Sequence, residues 1–67
     1  MFENLDELID KNLKMIYDSN DKKVPVFNLL SLRGRRFSVQ SESLRFANEM
    51  KTRDLISING DFVSLSS

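Results

Sequence analysis

The sequence predicts a small α+β fold in which three helices are followed by a C-terminal β-hairpin. Two stretches carry apolar residues at helical spacing, one near the N-terminus and one in the second half of the chain. Two β-rich runs then flank the dipeptide Asn59-Gly60, which is the preferred pair for a tight hairpin loop. Because the chain has only 67 residues, we expect one domain over residues 1–67.

The first helix is predicted from apolar residues at spacings of three and four, which form one stripe along a helix. They are Phe2, Leu5, Leu8, Ile9, Leu13 and Ile16. Acidic residues are concentrated early in this stretch and basic residues late, as the helix dipole favours. Asn12 lies inside the stripe. We expect its amide to lie at the rim or to bond a backbone group, with a register-fixing helix–helix contact as the alternative.

A turn and a short second helix are predicted next. Ser, Asn and Asp cluster between residues 18 and 23, which indicates the end of the first helix. Pro25 favours an extended Val24, so we expect a brief strand at Lys23–Val24. A short helix is then predicted from Val26 or Phe27 to Leu32, with Gly34 at its C′ position.

The third helix is predicted over about residues 41–53, with Ser38 or Ser41 as its N-cap. Helical spacing puts one set of residues on the buried flank, namely Leu44, Phe46, Ala47 and Met50. The opposite side is polar and is formed by Ser41, Arg45, Asn48 and Thr52. We call these four residues the outward row.

The C-terminal hairpin is predicted with a type I′ loop at Asn59-Gly60. This loop would pair Ile58 with Asp61, Ser57 with Phe62 and Ile56 with Val63. Four apolar residues would then share the core face, namely Ile56, Ile58, Val63 and Leu65. Phe62 would lie on the other face.

This order of elements resembles the winged helix-turn-helix superfamily. The resemblance covers nearly the whole chain and is most specific in ANEMKTRDLISINGDFVSL, residues 47–65, which looks like a recognition helix running into a wing. Two departures are visible. Asp54 stands where many members have glycine, and the wing carries no Lys or Arg.

The resemblance implies a DNA-binding domain that is a transcription regulator or part of one, with the third helix in the major groove of double-stranded DNA. It puts the outward row nearest the base edges, where Arg can read guanine and Asn adenine. A second set would contact phosphates, namely Arg33, Arg35, Arg36, Ser38 and Lys51. Since each neutralised phosphate contributes roughly −0.9 to the log–log salt slope, so few cations imply weak monomer binding.

The alternative is a protein-interaction or assembly module that does not bind DNA. The net charge of zero, the acidic Asp61 at the wing tip and Phe62 on the outer face of the wing favour it. The first helix could also form a homodimer through Asn12, Met15 and Tyr17, and a dimer or larger partner is compatible with both functions.

An enzyme, a cofactor site and a metal site are not expected. The chain has neither His nor Cys, and its two glycines are assigned to a helix end and a hairpin. No apolar run approaches the ~20 residues that a membrane span needs, and the N-terminus is acidic where a signal peptide would be basic. We therefore expect no membrane partner and a cytoplasmic protein.

Overall fold

A computed structural model describes residues 4–66 of the chain. The three strands form one antiparallel sheet, in which the third strand in chain order lies between the other two. The fold class is α+β, but the predicted three helices plus a C-terminal hairpin are wrong, because residues 4–66 contain two α-helices and a three-stranded sheet. In chain order the elements are α1 (Leu5–Asp18), β1 (Lys23–Pro25), a 3₁₀ helix (Val26–Asn28), α2 (Gln40–Thr52), β2 (Ile56–Asn59) and β3 (Phe62–Leu65).

Helix α1 is the predicted first helix. Its buried residues are Leu8, Ile9, Asn12 and Ile16, so the apolar stripe faces the core as the spacing predicts. Phe2, which we assigned to the same stripe, lies outside the described residues. The helix ends because Ser19 is extended, and both the backbone N–H and the hydroxyl of Ser19 donate to the carbonyl of Ile16.

The predicted strand at Lys23–Val24 is confirmed and extends to Pro25. It pairs with β3 at an edge of the sheet, where a proline is tolerated because its missing N–H leaves no central ladder bond broken. Immediately after the strand, the backbone N–H of Val26 donates to the carbonyl of Asp61 over 2.7 Å. β1 therefore holds the start of β3 in place.

The predicted second helix from Val26 to Leu32 is wrong. Only one 3₁₀ turn forms, and it ends at Asn28, because the next residue, Leu29, has an extended backbone (φ −60°, ψ 146°). The next residue, Leu30, bonds the side chain of Asn12 through both its N–H and its carbonyl. Since these backbone groups are occupied by α1, they cannot form the bonds of a continuing helix. Gly34 is therefore not a helix C′ residue.

Helix α2 begins at Gln40, and neither predicted serine cap forms. Val39 is the N-cap and no side chain caps the helix, because Ser38 lies before it and Ser41 lies within its first turn. Phe46, Ala47 and Met50 are buried as predicted, but Leu44 is 43% exposed. Its expected place is taken by Ser43, which is buried.

A hydrogen bond explains why Ser43 is buried. Its hydroxyl donates to the carbonyl of Val26 over 2.6 Å and so joins α2 to the 3₁₀ helix. Because a bonded hydroxyl can be buried at little cost, the helix turns this small residue inward and leaves Leu44 outside. The predicted buried face of α2 is therefore wrong at one position, where Ser43 and not Leu44 is buried.

The hairpin of β2 and β3 forms, but its predicted loop and pairing are wrong. Asn59 pairs with Phe62 and Ile58 with Val63, so the loop residues are Gly60 and Asp61. Gly60 has a φ of +63° and Asp61 has no positive φ, which is the pattern of a type II′ loop and not of type I′. β3 is the central strand, so its register is fixed by β1 as well as by β2.

A register shift of two residues leaves every side chain on its predicted face. Ile56 and Val63 are buried, and Ile58 and Leu65 are half-buried against the core. Residues from both helices and the sheet share this core. Its buried apolar members are Leu8, Ile9, Ile16, Val24, Val26, Leu29, Phe46, Ala47, Met50, Ile56 and Val63. Within residues 4–66, neither helix has the length and apolar character that crossing a membrane requires.

Candidate nucleic-acid interface

Residues 31–36 form a tight turn that we call the arginine turn. Leu30 and Arg36 form an antiparallel bridge at its base. Inside it, the carbonyl of Arg35 accepts from the N–H of Ser31 at 2.7 Å and from its hydroxyl at 2.9 Å. Gly34 takes a φ of +80°, which favours glycine. Arg33, Arg35 and Arg36 are all exposed on this turn.

Helix α1 anchors the arginine turn through Asn12, which is fully buried. Its amide nitrogen donates to the carbonyls of Leu8 and Leu30 at 2.9 Å each, and its amide oxygen accepts from the N–H of Leu30 at 2.7 Å. Lys11 adds a bond from its ammonium group to the carbonyl of Leu32 at 3.2 Å. The expected backbone contact of Asn12 is confirmed, and Asn12 is not available for the dimer contact we considered.

A cleft of about 540 Å³ lies between the arginine turn and the first half of α2. We call it the arginine cleft. It is lined by Leu8 of α1, by residues 31–33 and 35–38, and by Glu42 and Arg45 of α2. Four arginines and one glutamate therefore face one concavity. The resemblance implied that Arg45 contacts base edges and that the turn arginines contact phosphates, and the structure brings the two groups together in one cleft.

Most of the hydrogen-bond donors in the arginine cleft have no protein partner. Within residues 4–66, the guanidinium groups of Arg33, Arg35 and Arg45 make no hydrogen bond or ion pair, while Arg36 donates to the side-chain oxygen of Asn28 at 3.2 Å. Each guanidinium has five N–H donors arranged to match the oxygens of a phosphate or carboxylate. The cleft is therefore equipped to bind an anion.

The N-terminus of α2 adds to this positive surface. In the part of the chain that the structure describes, the backbone N–H groups of Gln40 and Ser41 have no hydrogen-bond partner and no side chain caps the helix. Such groups carry the positive end of the helix dipole. Glu42, in the same turn, offsets part of this charge.

The outward row of α2 is exposed throughout, as predicted. Arg45 is its only member that lines the arginine cleft; Ser41, Asn48 and Thr52 lie outside it. The hydroxyl of Thr52 donates to the carbonyl of Asn48 at 2.8 Å, which leaves its oxygen as an acceptor. Lys51 is exposed but is likewise not part of the cleft. Of the residues predicted to contact phosphates, all except Lys51 therefore line the arginine cleft.

Two residues that line the cleft, Ser31 and Glu42, were not predicted in this role from the sequence. Glu42 lies three residues before Arg45 on the same helix, a spacing that puts the two side chains on neighbouring positions. That spacing could have indicated an acidic side chain beside the arginines. Ser31 could not have been found, because its role depends on a turn where a helix was predicted.

Two aromatic side chains considered for partner contacts are exposed and lie against lysines. Phe62 is 41% exposed, and the ammonium group of Lys23 lies 4.9 Å from its ring centroid. Tyr17 is 63% exposed, with the ammonium group of Lys22 at 4.5 Å from its ring centroid. Both contacts have cation–π geometry, so the lysine stems cover part of each ring.

No group of three or more acidic side chains that could hold a metal ion occurs within residues 4–66. The chain matches no protein-family model, no curated protein and no solved structure. The resemblance to the winged helix-turn-helix superfamily rested on an order of elements that includes a second helix, and the structure has only a 3₁₀ turn there within residues 4–66. Any function has to be argued from the arginine cleft and its surroundings.

Proposed function

We propose that this chain binds double-stranded DNA, with the arginine turn on the phosphate backbone and the outward row of α2 towards the major groove. The observation that carries the proposal is the arginine cleft, in which four arginines from a hydrogen-bonded turn and a helix converge. Three of these guanidinium groups have no partner within the described residues. Phosphate contacts of this kind position a protein on DNA.

The geometry of α2 supports a groove-facing role. The helix has 13 residues, and its outward row is exposed along its whole length. Such a helix is about 20 Å long. Its diameter with side chains is about 10–12 Å, which matches the width of the major groove, about 12 Å. Arg45 lies at the edge between the cleft and the outward row, so it can reach either a phosphate or a guanine. A protein of this kind suits a transcription regulator or one domain of such a regulator.

The expected affinity is modest. If the four arginines of the cleft each neutralise one phosphate, the slope of log K against log salt is about −3.6. Binding should therefore be measurable at low salt and weak at physiological salt for a monomer. Sequence discrimination would come mainly from Arg45 and Asn48, at ~1–3 kcal/mol for each bidentate contact with a base.

The test is fluorescence anisotropy of a labelled DNA duplex titrated with the protein over a range of salt concentrations. The triple variant Arg33→Gln, Arg35→Gln, Arg36→Gln should lose at least tenfold in affinity and have a salt slope shallower by two to three units. The matched control is Lys14→Gln, Lys22→Gln, Lys23→Gln, which removes the same charge from residues outside the cleft. Equal losses in the two variants, or no binding by the unchanged chain at low salt, would refute the proposal.

A protein-contact function is the second candidate, and it is favoured by the exposed ring of Phe62 on the outer face of the sheet. A partner surface centred there would displace Lys23 and cover the aromatic ring. Phe62→Ser should then abolish partner capture in a pull-down that survives nuclease treatment, while leaving duplex affinity unchanged. Capture that disappears with nuclease would instead assign the partner to the nucleic-acid interface.

A further inference from the structure

Ser38 is an exposed serine between the arginine turn and α2. It lines the arginine cleft and also a second cleft of about 500 Å³, whose lining includes Phe27, Arg35 and Arg36. Within residues 4–66 its hydroxyl forms no hydrogen bond with the protein and does not cap α2. The neighbouring Phe37 packs its ring against that of buried Phe46, with centroids 5.7 Å apart, which fixes the backbone beside Ser38.

The residues before Ser38 give it the features of a kinase substrate. Arg35 and Arg36 lie three and two residues ahead of it, and both are exposed. A protein kinase whose peptide groove is lined with carboxylates selects its serine by paired arginines at such positions, because Arg–carboxylate contacts are strong and directional. Ser31 and Ser41, the other serines close to the turn, do not have two arginines in these positions.

We propose that Ser38 is a phosphorylation site and that its phosphate occupies the arginine cleft and weakens DNA binding. The last part rests on the proposed function. A serine/threonine kinase would transfer the γ-phosphoryl group of ATP to the side-chain oxygen of Ser38. A P–O bond to Ser38 forms, the P–O bond to ADP breaks, and the hydroxyl proton passes to the base of the kinase.

Charge explains the effect on DNA binding. A phosphoserine carries about −1.5 to −2 charges at neutral pH and three strong acceptor oxygens. Four arginines and one glutamate line the cleft, so one phosphate removes about half to two-thirds of its positive excess. The uncapped N–H groups of Gln40 and Ser41 lie two and three residues further on, at a helix terminus that favours anions. The phosphate would therefore compete with DNA phosphates for the same donors.

The first experiment locates the modification. The purified full chain is incubated with ATP and a serine kinase that requires arginines before its target, and the product is examined by intact and fragment mass spectrometry. We expect one phosphate on the unchanged chain, at Ser38, and no phosphate at this position in the Ser38→Ala variant. Transfer to the double variant Arg35→Gln, Arg36→Gln should be at least tenfold slower. No transfer while a reference peptide is fully modified, or transfer to another serine, would overturn the assignment.

The second experiment asks where the phosphate lies, and it does not involve DNA. Nitrogen-15 NMR should show shifts of the arginine side-chain Nε–H signals and of the Gln40 and Ser41 amides after phosphorylation. Ser38→Asp should produce weaker shifts in the same direction, whereas the uncharged Ser38→Asn should not. Unchanged arginine signals in the phosphorylated chain would overturn the placement of the phosphate in the cleft.

The third experiment measures duplex affinity at low salt. Phosphorylation should reduce it at least tenfold and make the salt slope shallower by one to two units. A phosphorylated chain that binds DNA as tightly as the unmodified chain would overturn the regulatory effect. If the unmodified chain binds no DNA at all, the proposed function fails, while mass spectrometry and NMR still decide the site and the position of its phosphate.

Discussion

Replacing Asn12 with alanine should cost a large part of the stability of this chain. Asn12 is fully buried in α1 and its side chain makes three hydrogen bonds, at 2.9, 2.9 and 2.7 Å. Two of these bonds satisfy the N–H and the carbonyl of Leu30, which precedes the arginine turn. The substitution Asn12→Ala leaves both groups of Leu30 without this partner.

The magnitude follows from these groups. An unsatisfied buried backbone group costs about 1–3 kcal/mol, and since Leu30 is only partly buried, the lower part of that range applies to each group. The carbonyl of Leu8 keeps its place in the helix and adds little. The expected loss is therefore about 2–3 kcal/mol. A chain of 67 residues has a total stability of roughly 3–10 kcal/mol, so the loss is large.

The assay is urea unfolding followed by far-UV circular dichroism, with Asn48→Ala as the matched control. Asn48 is also inside a helix but is exposed, and no hydrogen bond of its side chain occurs within the described residues. Both variants gain the same helix propensity, so their difference isolates the hydrogen bonds of Asn12. We expect Asn12→Ala to be less stable than Asn48→Ala by about 2–3 kcal/mol.

Local opening should accompany this loss. The amides of Ser31 and Gly34, which bond within the arginine turn, should exchange with solvent faster in Asn12→Ala relative to amides in α2. A stability difference below about 1 kcal/mol from Asn48→Ala, with unchanged exchange in the turn, would refute the reasoning. It would mean that water replaces Asn12 as the partner of Leu30.

Three further substitutions test other parts of the fold by the same urea assay. Ser43→Ala should cost about 1 kcal/mol, because it removes the bond to the Val26 carbonyl; a neutral result would show that this bond does not hold α2. Gly60→Ala should cost about 1–2 kcal/mol from its φ of +63° alone, since no atom lies within 4 Å of the added Cβ; no loss would argue against the type II′ loop. Asp54→Gly should stabilise by up to about 1 kcal/mol, because Asp54 has a φ of +60°; a loss would show that its side chain contributes more than its backbone costs.

The elements that local periodicity determines could be predicted from the sequence. The stripe through Leu8, Ile9 and Ile16 fixes α1, and alternation fixes the core face of β2 and β3. The loop type and the strand pairing of the hairpin were predicted wrongly, because the preference of Asn59-Gly60 for a type I′ loop is a local one and takes no account of other strands. The pairing of β3 with β1 is a tertiary constraint, and it moved the register by two residues.

The second helix could not be excluded from its own residues. The stretch after Val26 has apolar residues at helical spacing, but the competing partner for its backbone is Asn12, 18 residues earlier than Leu30. A buried amide that bonds both groups of one peptide segment outweighs the weak helix preference of a few residues. The sequence indicated that Asn12 would meet a backbone group, but not which one.

The exposure of the predicted site residues could be predicted from the sequence, but the shape of the cleft could not. Exposure of the arginines and of the outward row followed from composition and helical spacing. The convergence of Arg45 with the turn arginines required the tight turn and its anchoring to α1, which the predicted helix did not contain. A helix ending at Gly34 would have exposed the same arginines without forming the cleft.

Zero net charge is a weak argument against DNA binding for a chain built this way. Four of its ten cationic residues and one of its ten acidic residues line the arginine cleft, so the rest of the surface carries the acidic excess. The molecule measures 27 × 20 × 20 Å, whereas the Debye length at physiological salt is about 8 Å. DNA docked at the cleft is therefore screened from acidic groups on the opposite side of the protein. The proposed DNA binding therefore depends on the local density of guanidinium groups that have no partner within residues 4–66, and this density follows from the turn that Asn12 holds in place.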